Sequence, residues 1–280
     1  MFFVSRRAFL KGCSAGAAIG ASGIGLGCNS SKKTVTSEAG REQIANLSGP
    51  ERGAEPVNPN QPIKALVFDA YGTLFDVHSV VSLCEEMFPG QGIALSQTWR
   101  TRQLEYSWLR SVMGHYEDFW KVTQETLDFS CKALQLPATP AMQARLMEAY
   151  LHLQAFPDVI EALKSLSGYT KAILSNGTLK MLEAVVKSSF LGDFFSHIIS
   201  VDAVKIYKPS PRVYELAVQR IGAEKTAIGF VSSNCWDDIG AKAFGFRTFW
   251  VNRADSPADQ LGFLPDVIVR TLRELPKALK

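Results

Sequence analysis

Asp69 ends a short, mostly apolar run, Ile63-Lys64-Ala65-Leu66-Val67-Phe68, and enters Ala70-Tyr71-Gly72-Thr73-Leu74-Phe75. A carboxylate closing a buried strand beside a glycine-permitted turn can attack carbon or phosphorus and form a covalent intermediate. An Asp in that place also commonly caps a following helix. Similar runs end in other polar groups. Ser175-Asn176 closes Lys171-Ala172-Ile173-Leu174, and Ser232-Ser233-Asn234 closes Ala227-Ile228-Gly229-Phe230-Val231. Lys208 comes a few residues after His197-Ile198-Ile199-Ser200. Ser and Asn at such points are also ordinary turn formers, and a single lysine is often a surface group.

These runs suit buried parallel strands, and Thr248-Phe249-Trp250-Val251 adds another. Helical spacing lies between them: Val159, Leu163 and Leu166; Leu182, Val185, Val186 and Ser189; Tyr214, Ala217, Val218 and Ile221. Strands alternating with helices predict a doubly wound, mostly parallel, Rossmann-like α/β sheet. Ligands in such sheets bind beyond the carboxyl ends of the strands, where the polar residues above collect. Residues 76–155 break the alternation. They carry helical stripes (Leu104, Trp108, Val112; Met142, Leu146, Tyr150) and no convincing strand. We read them as an inserted all-helical cap, with 63–75 and 156–280 as the catalytic core.

Composition excludes several classes. Apolar residues make up 46% of the 280, enough for a real core, and the net charge is +3. No basic stripe interleaved with aromatics points to nucleic acid. No apolar run in the body approaches the roughly 20 residues of a membrane span. Cys84, Cys131 and Cys235 are widely spaced without a CxxC pattern, and His78, His115, His152 and His197 share no metal-ligand spacing. Neither a metal site nor a histidine-based triad is expected.

The chain opens Ser5-Arg6-Arg7-Ala8-Phe9-Leu10-Lys11, followed by a Gly/Ala-rich stretch from Gly12 to Gly27. This order resembles a twin-arginine export signal. It predicts a signal peptide over 1–30, passage through the twin-arginine translocase, and a periplasmic or otherwise exported protein. Leu26-Gly27-Cys28 loosely resembles a lipoprotein box, with Gly25 where a larger aliphatic is usual; a cut after Ala39 competes with it. Residues 31–62 are rich in Ser, Gly, Pro, Asn and charge, and read as a linker.

In order, Phe68-Asp69-Ala70-Tyr71-Gly72-Thr73-Leu74-Phe75, Leu174-Ser175-Asn176-Gly177, Lys208-Pro209 and Phe230-Val231-Ser232-Ser233-Asn234-Cys235-Trp236-Asp237 resemble the four motifs of the haloacid dehalogenase superfamily. Most of that superfamily are magnesium phosphotransferases with a second Asp two residues after the first. Tyr71 stands there and cannot serve as an acid near neutral pH. Aligned on Asp237, the fourth-motif Asp that helps bind magnesium is replaced by Ser233. A halide leaves as a stable anion and needs no proton, so a metal-free dehalogenase tolerates both changes.

The cap stretch Trp99-Arg100-Thr101-Arg102-Gln103-Leu104-Glu105-Tyr106-Ser107-Trp108 and the segment Leu74-Phe75-Asp76-Val77-His78-Ser79-Val80 resemble the L-2-haloacid dehalogenases. That resemblance implies hydrolysis of 2-haloalkanoates by Asp69, with water and no cofactor. By the same resemblance Arg100 holds the halide, while Ser175 and the Asn176 backbone bind the substrate carboxylate. Lys208 holds Asp69, and Thr73, Ser232 and Asn234 orient it. Tyr214 is a further matched position, and Asp237 stabilises Lys208 and helps position water. Tyr71, Leu104, Phe119 and Trp236 form the apolar pocket. A homodimer is also compatible with the family. Asp76 and Asp238 have no assigned role. The competing readings are a magnesium phosphatase of the same fold and a non-catalytic exported binding protein.

Overall fold

The computed structural model describes residues 61–280. The leader, its Cys13 and Cys28, and nearly all of the linker lie outside the described residues.

The strands are β1 (Ala65–Phe68), β2 (Thr170–Ser175), β3 (His197–Ser200), β4 (Ile228–Ser232), β5 (Arg247–Val251) and β6 (Val267–Val269). They form one six-stranded sheet in the order β3-β2-β1-β4-β5-β6. Every pairing is parallel. A parallel strand needs a crossover, and both sheet faces are then covered. That is why β1 and β4 are buried along their whole length. The crossover helices of the core are α5 (Val159–Ser165), α6 (Leu179–Ser188), α7 (Pro211–Ile221) and α8 (Cys235–Phe244), with α9 (Leu275–Ala278) at the end. Thr178 caps α6 by accepting from the Met181 N–H, and α7 opens on Pro211, whose fixed φ suits a first helical turn.

β6 was not expected from the sequence. It has three residues, and Ile268 at its centre is 55% exposed, so no buried alternation marks it.

Between β1 and α5 the chain forms the cap helices α1 (Val81–Met87), α2 (Gly92–Met113), α3 (Phe119–Ala133) and α4 (Pro140–Ala149). Entry and exit are adjacent. Phe75 and Ala155 form an antiparallel bridge, Asp76 N–H donates to Gln154 C=O at 2.8 Å, and Phe156 N–H donates to Leu74 C=O at 3.0 Å. The stripe expected on α2 differs from the sequence reading at its far end, where Val112 is 87% exposed. The buried face of α2 carries polar Ser96, Gln103 and Ser107 beside Leu95 and Trp99. Hydrophobicity therefore points slightly off that face. Its polar groups are satisfied: Trp99 Nε1 donates to Thr123 C=O, and Gln103 joins Thr123 Oγ1 to the Tyr150 hydroxyl.

Cys84, Cys131 and Cys235 are free and buried. Among the described residues no helix is long and apolar enough to cross a membrane.

Asp238, on the first turn of α8, is fully buried, and neither carboxylate oxygen has a hydrogen-bond partner among the described residues. Burial pushes its carboxyl well above the usual range. A folded state that holds a proton this tightly loses stability as pH rises past the unfolded carboxyl's value, because only the unfolded chain then ionises freely. Asp238→Asn removes that dependence. Melting curves from pH 4 to 8 should show the variant gaining on the wild type as pH rises, by roughly 2–4 °C per kcal/mol of proton linkage. A gap that stays constant or shrinks would show that Asp238 is ionised in the fold.

Candidate active site

The carboxyl ends of β1, β2 and β4 converge, and their last residues form the site. Asp69 N–H donates to Val231 C=O at 2.9 Å, extending the β1–β4 ladder by one residue and fixing the Asp69 backbone. The loop then turns at Gly72, whose φ of 91° is open to glycine and costly for other residues.

Asp69 is buried, and both its oxygens are engaged. Lys208 Nζ donates to Oδ1 at 3.0 Å. Asn234 Nδ2 and Thr73 Oγ1 donate to Oδ2 at 2.8 and 3.1 Å. Thr73 Oγ1 in turn accepts from Ser233 N–H at 2.8 Å, so the β4 loop holds the hydroxyl that holds the carboxylate. Asn234 Nδ2 also donates to Tyr71 C=O at 3.1 Å, locking the β1 loop to the β4 loop.

Behind Asp69 lies a second buried carboxylate. Lys208 Nζ donates to Asp237 Oδ2 at 2.8 Å and to Asp69, bridging the two. Tyr214 donates its hydroxyl to Asp237 Oδ1 at 2.8 Å. Burial alone would push the Lys208 ammonium down, but the carboxylates of Asp237 and Asp69 outweigh it and hold it above its usual value. Burial, reinforced by nearby Asp69, holds the Asp237 carboxyl above its ordinary range despite Lys208. The Tyr214 hydroxyl is pushed well up by burial and by Asp237, so it is a donor only.

In front of Asp69 is a small recess of about 240 Å³, counting its opening to solvent. Asp69, Ser175, Asn176 and Asn234 line it from the core, with Tyr71, Leu104, Phe119 and Trp236 as its apolar walls. Arg100, from α2 of the cap, completes the lining and donates to Tyr71 C=O at 3.3 Å. A weakly hydrated guanidinium among aromatic walls is a place for an anion. The Tyr71 hydroxyl is buried without a partner among the described residues, and burial pushes it well up, so it stays protonated. Gly177 admits the Tyr71 ring: a Cβ there would lie 2.7 Å from ring carbon Cε2. Trp236 meets Trp108 of the cap edge to face, with ring centroids 5.2 Å apart.

Of the residues singled out in the sequence, most meet here, with two differences of place. Ser232 makes no hydrogen bond to Asp69; its hydroxyl donates to Asp237 Oδ2 at 3.3 Å and accepts from Asn234 N–H, because the chain turns directly from β4 into the helix carrying Asp237. Tyr214 lies behind Asp237, away from the recess. Asn176 lines the recess, and its side-chain carbonyl accepts from Lys208 N–H at 3.0 Å. Asp76, without a role in the sequence reading, accepts from His78 N–H at the cap entry.

Arg253 was missed. It comes two residues after the end of β5, at the same sheet edge as the other groups, and Asn252-Arg253 after an apolar run was the available signal.

The donors do not suit a divalent cation. Both Asp69 oxygens face an ammonium, an amide and a hydroxyl, and positions 71 and 233 carry no carboxylate. Ser233 Oγ accepts from Arg253 at 2.7 Å. Among the described residues no three His, Cys, Asp or Glu side chains are grouped to hold a metal. A hard ion such as magnesium needs several free oxygen ligands.

Residues 63–245 match the haloacid dehalogenase-like hydrolase family. The (S)-2-haloacid dehalogenase of Pseudomonas sp. (strain YL) is 48% identical over 213 residues, covering 75% of this chain and 92% of that protein. (S)-2-haloacid dehalogenase H-109 of Pseudomonas putida is 49% identical over 217 residues, covering 77% and 97%. The L-2-haloacid dehalogenase of Xanthobacter autotrophicus, solved with chloropropionic acid covalently bound, superposes with a TM-score of 0.74 at 40% identity, covering 78% of this chain and 98% of that one.

Proposed function

Since the chain belongs to the haloacid dehalogenase-like hydrolase family, we propose that it hydrolyses L-2-haloalkanoic acids to D-2-hydroxy acids and halide without a metal. One observation carries this reading. The recess sets a buried carboxylate, held by an ammonium, in the same small space as a cap guanidinium, and Tyr71 stands where an acid for a leaving oxygen would be. Close relatives named (S)-2-haloacid dehalogenases support it.

The reaction has two steps. The substrate carboxylate binds at Ser175 and the Asn176 backbone. An oxygen of Asp69 attacks C2 from the side opposite the halogen. The carbon–halogen bond breaks, its electron pair leaves with the halide, and Arg100 receives the anion. Fixed donors aimed at developing charge in a water-poor site supply the stabilisation. Water, oriented by the Lys208–Asp237 pair, then attacks the carbonyl carbon of the Asp69 ester; one of its protons ends on the product hydroxyl and the other passes to solvent. The ester C–O bond on the carbonyl side breaks, so the product hydroxyl keeps the oxygen Asp69 supplied, and the carboxylate regains one from water. Only the first step touches C2, which therefore inverts once.

The leader belongs to the same proposal. Arg6-Arg7 and the Gly/Ala-rich stretch direct the folded protein through the twin-arginine translocase, with Cys28 as a candidate lipid anchor. Association into a homodimer is the accompanying family-based proposal.

Purified protein with L-2-chloropropionate in EDTA should release chloride and D-lactate. In cells, chloride release should sit in the exported fraction and leave it when Arg6 and Arg7 are both replaced by lysine. L-lactate as product would sink the inversion route. No chloride, together with magnesium-dependent cleavage of p-nitrophenyl phosphate, would replace the dehalogenase by a phosphatase. Activity that never leaves the cytoplasm would remove the export assignment.

A further inference from the structure

Arg253 touches neither the recess nor Asp69, yet its guanidinium joins three segments that meet behind the nucleophile. Nη1 donates to Ser233 Oγ at 2.7 Å, and Gly72 C=O is a weak contact at 3.5 Å. Nη2 donates to Thr73 C=O at 3.1 Å and to Asp158 Oδ1 and Oδ2 at 3.1 and 3.3 Å. The group also stacks on Phe156, 4.1 Å from the ring centroid. Asp158 is buried and accepts from Leu272 N–H at 2.8 Å, so it is itself fixed.

Two of those segments carry the hydrogen bonds that aim the nucleophile. Ser233 N–H donates to Thr73 Oγ1, and Thr73 Oγ1 donates to Asp69 Oδ2. Phe156 and Asp158 belong to the stretch where the chain returns from the cap, and Phe156 N–H is bonded to Leu74 C=O. Trp250 Nε1 holds Ser233 C=O from the other side at 3.1 Å. A planar fork with several fixed donors can set three partners at once; a lysine ammonium cannot reproduce that geometry.

We propose that Arg253 is a positioning residue for the Asp69 reaction: by pinning Thr73 and Ser233 to the cap-return segment, it sets the direction of the Asp69 carboxylate. This rests on the dehalogenase reading only for its kinetic readout. Its expected mark is on the attack itself and not on substrate binding, because no Arg253 atom lines the recess.

The test uses the full-length protein and the variants Arg253→Lys and Arg253→Ala, with L-2-chloropropionate as substrate and the wild type in parallel. Arg253→Lys should lose about tenfold in kcat with KM within about twofold. Guanidinium ion at millimolar concentration should restore part of the activity of Arg253→Ala, and ammonium ion should not. A crystal structure of Arg253→Lys should show the Thr73–Asp69 hydrogen bond broken. The proposal is overturned by wild-type kcat in Arg253→Lys, by a loss confined to KM, or by a Thr73–Asp69 bond retained in the variant structure. Failure of both variants to fold would also overturn it, since Arg253 would then serve the fold alone. The crystallographic arm needs no turnover. A wild type that releases no chloride counts against the dehalogenase reading, while the fate of the Thr73–Asp69 bond still decides Arg253.

Discussion

Asp69→Asn should abolish halide release, with kcat falling by at least about 10⁴-fold, the scale for loss of a covalent nucleophile. An amide keeps the shape of the carboxylate, but its NH2 cannot accept from whichever of Lys208 or the Asn234–Thr73 pair it faces. It lacks the charge that attacks C2. Lys208 then faces a neutral group on one side and Asp237 on the other. The decisive measurement is a single turnover in ¹⁸O-water, followed by mass analysis of protein and product. In the wild type the label should enter the Asp69 carboxylate and be absent from the first hydroxy acid formed. The variant should show neither label nor adduct. Label in the first product would mean that water attacks C2 directly, with Asp69 a base and not a nucleophile.

The second large effect is expected at Lys208. Its ammonium is buried between two carboxylates, and burial keeps water from screening any of the three. Lys208→Met keeps most of the volume and removes the charge. Asp69 and Asp237 are then left together without a counter-ion, and one of them must take up a proton. We expect kcat to fall on the order of 10³-fold, the size of losing a preorganised charge at a reacting group. The residual activity carries the diagnosis. Two adjacent carboxylates without a counter-ion share a proton that is lost only as pH rises, so the activity of the variant should climb from pH 6 to 9. The wild type should not climb in that way, because its carboxylates hold Lys208 charged well into the alkaline range. A variant whose activity is low and flat across that range would show that Lys208 acts on the substrate alone and not on Asp69.

Much of this site was legible before any coordinates, for a reason particular to parallel sheets. Asp69, Ser175 and Ser232 each follow a run of buried aliphatics, and a parallel sheet brings such run ends to one edge. What stayed hidden was direction. Spacing placed Ser232 near Asp69, but whether its hydroxyl turns to Asp69 or to Asp237 depends on the turn into α8, which no periodicity encodes. Arg253 was hidden differently: its partners are two backbone carbonyls, a serine and Asp158, lying from 20 to 181 residues away from it in sequence. β6 is too short, and too open at Ile268, to leave a pattern. On α2 the buried face mixes Ser96, Gln103 and Ser107 with apolar groups, so a hydrophobic stripe drifted toward exposed Val112.

The bridge between Phe75 and Ala155 bears on how such a protein changes over time. The chain leaves the sheet layer and returns to it through two neighbouring strands of backbone, tied by Asp76 to Gln154 and Phe156 to Leu74. Any insertion whose ends lie one antiparallel spacing apart could be spliced there without breaking a single rung of the β1–β2 or β1–β4 ladders. The nucleophile and its ammonium would survive such an exchange intact, while the guanidinium at Arg100 and the walls at Leu104 and Phe119 would go with the replaced piece. The sheet would keep Asp69, Ser175, Asn176 and Trp236, while the exchanged module would bring its own anion group and its own share of the recess wall.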